Sequence, residues 1–195
     1  FSFDFYGNAR GSQIYTFRDY TLQEEFIAGK GKISHLDILP YYESLFKDNI
    51  KMGPKRLKVV LDPGNGTTSP FALNIYKMFN NLDIIMINDK SDGTFPNHHP
   101  DPAVPENLKQ LQEKVKEVHA DVGIAFDGDG DRVGFVDNEA NIIPADKFLA
   151  ILMQFYSPHY QDKRVLYDVK CSSLLKDIAD KLHLKPIMYR TGASY

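Results

Sequence analysis

Three segments between residues 57 and 126 group their apolar residues in short runs instead of strict alternation: Leu57-Lys58-Val59-Val60-Leu61, Ile84-Ile85-Met86-Ile87 and Val122-Gly123-Ile124-Ala125-Phe126. A strand with water on one face alternates apolar and polar residues. Runs of this kind belong to strands covered on both faces, as in a parallel sheet with helices above and below. Pro63-Gly64-Asn65-Gly66 makes a turn after the first run, and Phe71 to Phe79 reads as a helix. The first two strands and this helix form a βαβ unit.

The pattern then repeats. Pro105 suits a first helical turn, and Leu108, Leu111, Val115 and Val118 share one face of a helix that runs to His119 and feeds the third strand. Val133 to Val136 returns as another strand. Farther on, Phe148 to Tyr156 and Leu174 to Leu182 read as helices, and Val165 to Asp168 and Pro186 to Tyr189 as strands. The expected fold class is α/β, with tandem three-layer α/β/α units and mixed, mainly parallel sheets. Residues 41–141 are expected to form a complete α/β domain, and 142–195 the first part of a second one. Residues 1–40 are expected to be a domain tail and linker. Within them, Phe1 to Lys32 shows no sustained period and is expected to be partly irregular or borrowed structure, while Ile38 to Ile50 has helical spacing. The chain starts at Phe1 without methionine and stops at Tyr195 just after a strand-like segment, so both ends are expected to be cut.

The chemistry concentrates in Asp127-Gly128-Asp129-Gly130-Asp131-Arg132, at the carboxyl end of a buried strand, where open α/β sheets hold their ligands. Carboxylates on alternate residues repel one another, and the intervening glycines let the backbone curl so that all can converge. That arrangement is costly without a cation. All-oxygen ligation by few side chains fits magnesium, which keeps positions for water or phosphate. A calcium EF-hand does not fit, because it needs glycine where Arg132 stands, glutamate where Asn138 stands, and a preceding helix. Asp127, Asp129 and Asp131 are therefore the expected metal ligands. Arg132 beside them can take phosphate oxygens that the metal leaves free. Together they read as a phosphoryl site. A haloacid-dehalogenase-type phosphatase also carries Asp-x-Asp after a strand, but Gly130 and Asp131 stand where its small apolar residue and threonine or valine would be. A non-catalytic metal-binding module is the other alternative.

The hexapeptide resembles the magnesium loop of the α-D-phosphohexomutases, and the resemblance extends along the chain. Asp92-Gly93-Thr94-Phe95-Pro96-Asn97-His98-His99-Pro100-Asp101-Pro102 with Pro105-Glu106-Asn107-Leu108 is similar to the stretch before the metal loop in the bacterial phosphomannomutase/phosphoglucomutase branch. Asp62-Pro63-Gly64-Asn65-Gly66, Asp168-Val169-Lys170-Cys171 and Arg190-Thr191-Gly192-Ala193-Ser194 also resemble family segments, in family order. The resemblance implies a four-domain enzyme that moves a phosphoryl group between the 1 and 6 positions of a hexose. It would act through a phosphoserine and a hexose 1,6-bisphosphate, with Mg2+. It implies that Arg132 contacts the phosphoryl group as a catalytic and substrate-binding residue, and that Lys170 offers a charge to the phosphosugar. The family's Thr-Ala-Ser-His-Asn-Pro loop and its phosphate-gripping loop are not in this sequence, so domains 1 and 4 would be missing partners and the chain alone inactive. Relatives often carry histidine where Ala193 stands, which leaves the proton route and the sugar preference open. Family analogy also implies a monomer.

The adjacent His98 and His99, flanked by prolines, are not expected to bind zinc. One of them is expected to hydrogen-bond nearby backbone or to pack near the active cleft. Gly64-Asn65-Gly66 reads as a structural turn, since no third glycine follows at nucleotide-binding spacing. Cys171, the single cysteine, reads as a packing residue, and it excludes an internal disulfide. The net charge of −3 offers no footprint for nucleic acid or an anionic membrane, and no apolar run approaches the roughly 18 residues of a membrane span. A cytoplasmic location is expected.

Overall fold

The computed structural model describes residues 3–4, 7–8, 11–26 and 28–191. At the amino end, β1 (Phe3–Asp4) and β2 (Gly7–Asn8) pair antiparallel, and α1 spans Gly11–Leu22. Within that stretch these elements are regular, while residues 28–32 belong to no helix or strand. No residue of α1 is buried, so its sequence carries no apolar stripe by which a helix could be recognised. The hydroxyls of Thr16 and Thr21 donate to the carbonyls of Ser12 and Phe17 one turn earlier. Next comes α2 (Leu39–Asn49), started by Pro40 within its first two positions.

The central sheet is built on β3 (Leu57–Asp62), with β4 (Leu82–Met86) parallel on one side and β5 (Val122–Phe126) parallel on the other. Beyond β5 the sheet turns antiparallel through β6 (Val133–Asp137) and β7 (Ile142–Ile143). The order is β4-β3-β5-β6-β7, and the sheet takes in two residues beyond position 141. Period-two geometry sends neighbouring residues of β3 to opposite faces, and both faces are covered. Val60 joins Leu108, Leu111, Val115, Ala125 and Val136 under α4 (Lys109–Val118), which a 3-10 turn at Pro105–Leu108 leads in. Val59 and Leu61 join Ile124 on the other face, where Tyr76 from α3 (Ala72–Lys77) packs. The short apolar runs in the sequence follow from this double coverage.

A smaller unit follows. α5 (Ala145–Tyr156), β8 (Arg164–Asp168), α6 (Leu174–Lys181) and β9 (Lys185–Tyr189) enclose Met153, Tyr167, Leu175, Ala179 and Leu184, with β8 and β9 parallel. Cys171 packs against this cluster, as expected of a structural cysteine. α5 begins three residues before the expected Phe148, because Pro144 caps it and the polar Asp146 occupies its first turn, ahead of the apolar pattern. Phe148 stacks on Phe135 of β6 with ring centroids 4.1 Å apart, which ties the smaller unit to the sheet. Among the described residues, no helix is long and apolar enough to cross a membrane.

Candidate metal centre

The loop 127–132 joins β5 to β6 at the carboxyl end of β5, and Asp127 organises it. Its backbone N–H donates to the Arg132 carbonyl at 3.1 Å, and its carbonyl accepts the Gly130 N–H at 3.2 Å. Its carboxylate accepts the Arg132 backbone N–H at 3.0 Å and Nε at 2.8 Å. The Asp127 side chain is 1% exposed, while the Arg132 side chain is 56% exposed and its Nη1 donates to Asp101 at 2.9 Å. Burial by itself would push the Asp127 carboxyl up, but the backbone N–H and guanidinium of Arg132 together hold it below the usual carboxylate range. The same bond to Asp127, with the charge of Asp101, pushes Arg132 up.

One carboxylate oxygen from each of Asp127, Asp129 and Asp131 lies within 4.8 Å of the others, so the glycine-spaced loop does bring the three together. Oxygens on opposite sides of a Mg2+ ion are about 4.2 Å apart at metal–oxygen distances of about 2.1 Å, so the cluster is within a small contraction of a binding set. The neighbouring Asp129 charge, with the carboxylate of Asp127 and some burial, raises the Asp131 carboxyl above its ordinary value. That is the electrostatic cost a divalent cation would remove. The donor set is oxygen only and leaves positions free, so the residues fit magnesium.

The loop is held from outside on two sides. Gly128 donates its N–H to Pro100 O at 3.1 Å and accepts the Thr67 N–H at 3.0 Å. Gly130 has φ +79°, and a Cβ there would lie 2.7 Å from Thr68 Cγ2. The turn at Gly64-Asn65-Gly66 is structural, as expected: Gly64 and Asn65 both adopt left-handed backbone, and Gly66 lies against Gly128.

His98 is mostly buried and binds both its neighbour's backbone and the fully buried Asp62, while His99 is exposed. Asp62, at the end of β3, also accepts the Gly64 N–H at 2.9 Å and Asn88 Nδ2 at 3.0 Å. The sequence shows an aspartate closing this strand, but its partner lies 36 residues away and no local spacing signals the pair. Asp101, which holds Arg132, was missed for the same reason. Lys170 is exposed in the turn after β8, where its backbone N–H donates to Asp168. Among the described residues, no hydrogen bond or ion pair joins its side chain to the metal loop. Gly192, Ala193 and Ser194 lie outside the described residues.

The family described as phosphoglucomutase/phosphomannomutase, alpha/beta/alpha domain II, matches residues 40–140. A phosphomannomutase/phosphoglucomutase of Pseudomonas aeruginosa is 39% identical over 182 residues, which are 93% of this chain and 39% of the relative. A phosphoglucomutase of Neisseria meningitidis is 35% identical over 89% of this chain and 38% of its own length. Among solved structures, a phosphoglucomutase/phosphomannomutase family protein from Burkholderia thailandensis superimposes with a TM-score of 0.88 at 34% identity, covering 95% of this chain and 40% of that one. The chain thus spans about two-fifths of the length of these relatives. With its α/β/α layers, its mixed sheet and its match over residues 40–140, the chain belongs to the phosphoglucomutase/phosphomannomutase family.

Proposed function

We propose that this chain is the magnesium-holding part of a phosphohexomutase, which interconverts hexose 1-phosphate and hexose 6-phosphate, of mannose, glucose or both, through a phosphoserine and a hexose 1,6-bisphosphate. Residues 41–141 would be the complete domain with the metal loop, 142–195 the first part of the next domain, and 1–40 the end of a preceding one. The domains carrying the phosphoserine and the phosphate-gripping loop would complete a monomeric enzyme, and this chain alone would be inactive. The observation that carries the reading is the convergence of Asp127, Asp129 and Asp131 beside Arg132.

In this reading the three aspartates hold Mg2+, which when bound offsets negative charge on the phosphoryl group in transfer. Asp127 does two tasks, since it faces the cation and locks Arg132 at the loop's end. Arg132 spends Nε on Asp127 and Nη1 on Asp101, which orients the guanidinium. Its Nη2 has no partner among the described residues and can donate to a phosphate oxygen. Lys170 would serve the phosphosugar from the second unit. Its exposure is compatible with that role, and the approach of the two sites depends on the rest of the enzyme.

The test is a coupled mutase assay, with mannose 1-phosphate or glucose 1-phosphate and the bisphosphate activator, on a protein that carries this chain together with the remaining family domains. Asp129→Asn is expected to lower turnover by at least about a hundredfold, in keeping with loss of a charge-stabilising group. Full activity in that variant would sink the assignment of Asp129 to the metal.

A further inference from the structure

His98 Nε2 lies 3.0 Å from Asp62 Oδ2, and Nδ1 lies 3.0 Å from the carbonyl oxygen of His99. A backbone carbonyl can only accept, and the buried Asp62 already uses its other oxygen to accept from Gly64 and Asn88. Nδ1 must therefore donate to the carbonyl, and with Asp62 ionised Nε2 donates as well, so that His98 is an imidazolium facing a carboxylate that water does not reach. The bond to Asp62 accordingly raises the His98 pKa above its ordinary value.

A short strap connects the pair to the metal loop. Asn97 Nδ2 donates to Asn65 Oδ1 at 2.8 Å, and His98 next to it is tied to the end of β3. Two residues on, Pro100 receives the Gly128 N–H, and its ring sits where a Cβ on Gly128 would be 3.3 Å from Pro100 Cγ. Asp101 then binds Arg132. The strap is therefore anchored to the sheet at one end and to the metal loop at the other.

We propose that His98 is a positioning residue for the metal loop: its two hydrogen bonds, to Asp62 and to the His99 carbonyl, hold the 97–101 strap so that Pro100 and Asp101 set Gly128 and Arg132 in place. The inference rests on the loop binding magnesium. Groups that orient a metal site from behind its ligands change affinity by about 10- to 100-fold when removed, although they touch no metal.

The experiment is a Mg2+ titration by calorimetry on this chain, with nitrogen-edited NMR of the His98 ring and of the Gly128 amide. The wild-type ring is expected to show two N–H signals at neutral pH. His98→Gln, which can keep only one of the two bonds, is expected to weaken Mg2+ binding at least about tenfold and to shift the Gly128 amide in the metal-free protein. Asp62→Ala should do the same. Asp62→Asn, which can return every hydrogen bond with a neutral ring, is expected to recover most of the affinity. An unmoved Gly128 amide in His98→Gln, or no recovery in Asp62→Asn, would each overturn the proposal. Absence of Mg2+ binding by the wild type would instead count against the metal reading, and the Gly128 amide would still report whether His98 positions the loop.

Discussion

Leu111→Ala is expected to destabilise the chain by about 2–5 kcal/mol, the range for truncating a leucine in a packed core. Leu111 is fully buried on α4 and packs with Val60, Val115, Ala125 and Val136. It also reaches the space over Gly123, where a Cβ would lie 2.9 Å from both Leu111 Cγ and Cδ1. The sheet beneath cannot rise to close the gap, because β5 is bonded on one side to β3 and on the other to β6. Domains of this kind are stable by about 5–15 kcal/mol in total, so the variant would lose a large share of its stability. Chemical denaturation measures the loss. Magnesium affinity of the folded fraction should change little, since Gly123 is four residues, or about 13 Å of strand, from Asp127. A loss below about 1 kcal/mol would mean that α4 settles onto the sheet more easily than this packing implies.

Gly66→Ala is the second large effect, and it joins fold to site. A Cβ at Gly66 would lie 2.8 Å from Gly128 O, 3.1 Å from Gly128 Cα and 3.0 Å from Pro63 O, all of them backbone atoms. A side-chain tip could swing away, but a backbone can yield only by moving the turn or the metal loop. The bond from Thr67 N–H to Gly128 O would stretch with it. The expected cost is about 1–3 kcal/mol, the usual range for overpacking. Unlike Leu111→Ala, it should come with weaker Mg2+ binding. Thermal melts with and without Mg2+ separate the two variants: the metal-induced rise in Tm should survive in Leu111→Ala and shrink in Gly66→Ala.

Double coverage of the sheet left its mark in the sequence because β3 and β5 bury both faces, and the helix over Lys109–Val118 was legible because Leu111 and Val115 fall on one buried stripe. The acidic loop was legible because its chemistry is local: three aspartates spaced by glycine lie in one short loop whose backbone can curl to bring them together. What the sequence did not show depends on long-range pairing or on the absence of burial. α1 buries nothing, so no apolar period marks it. The Asp62–His98 pair and the Asp101–Arg132 bond join residues 36 and 31 positions apart, which neither strand nor helix period brings together. Lys170 entered through family resemblance alone, and among the described residues no hydrogen bond or ion pair joins its side chain to the loop.

A magnesium site formed by Asp127, Asp129 and Asp131 is tested by a Mg2+ titration of this chain followed by calorimetry, beside Asp129→Asn. Saturable binding of one ion per chain is expected, lost in the variant while its circular dichroism stays that of the wild type. Equal heats in the two proteins, or none in either, would contradict it.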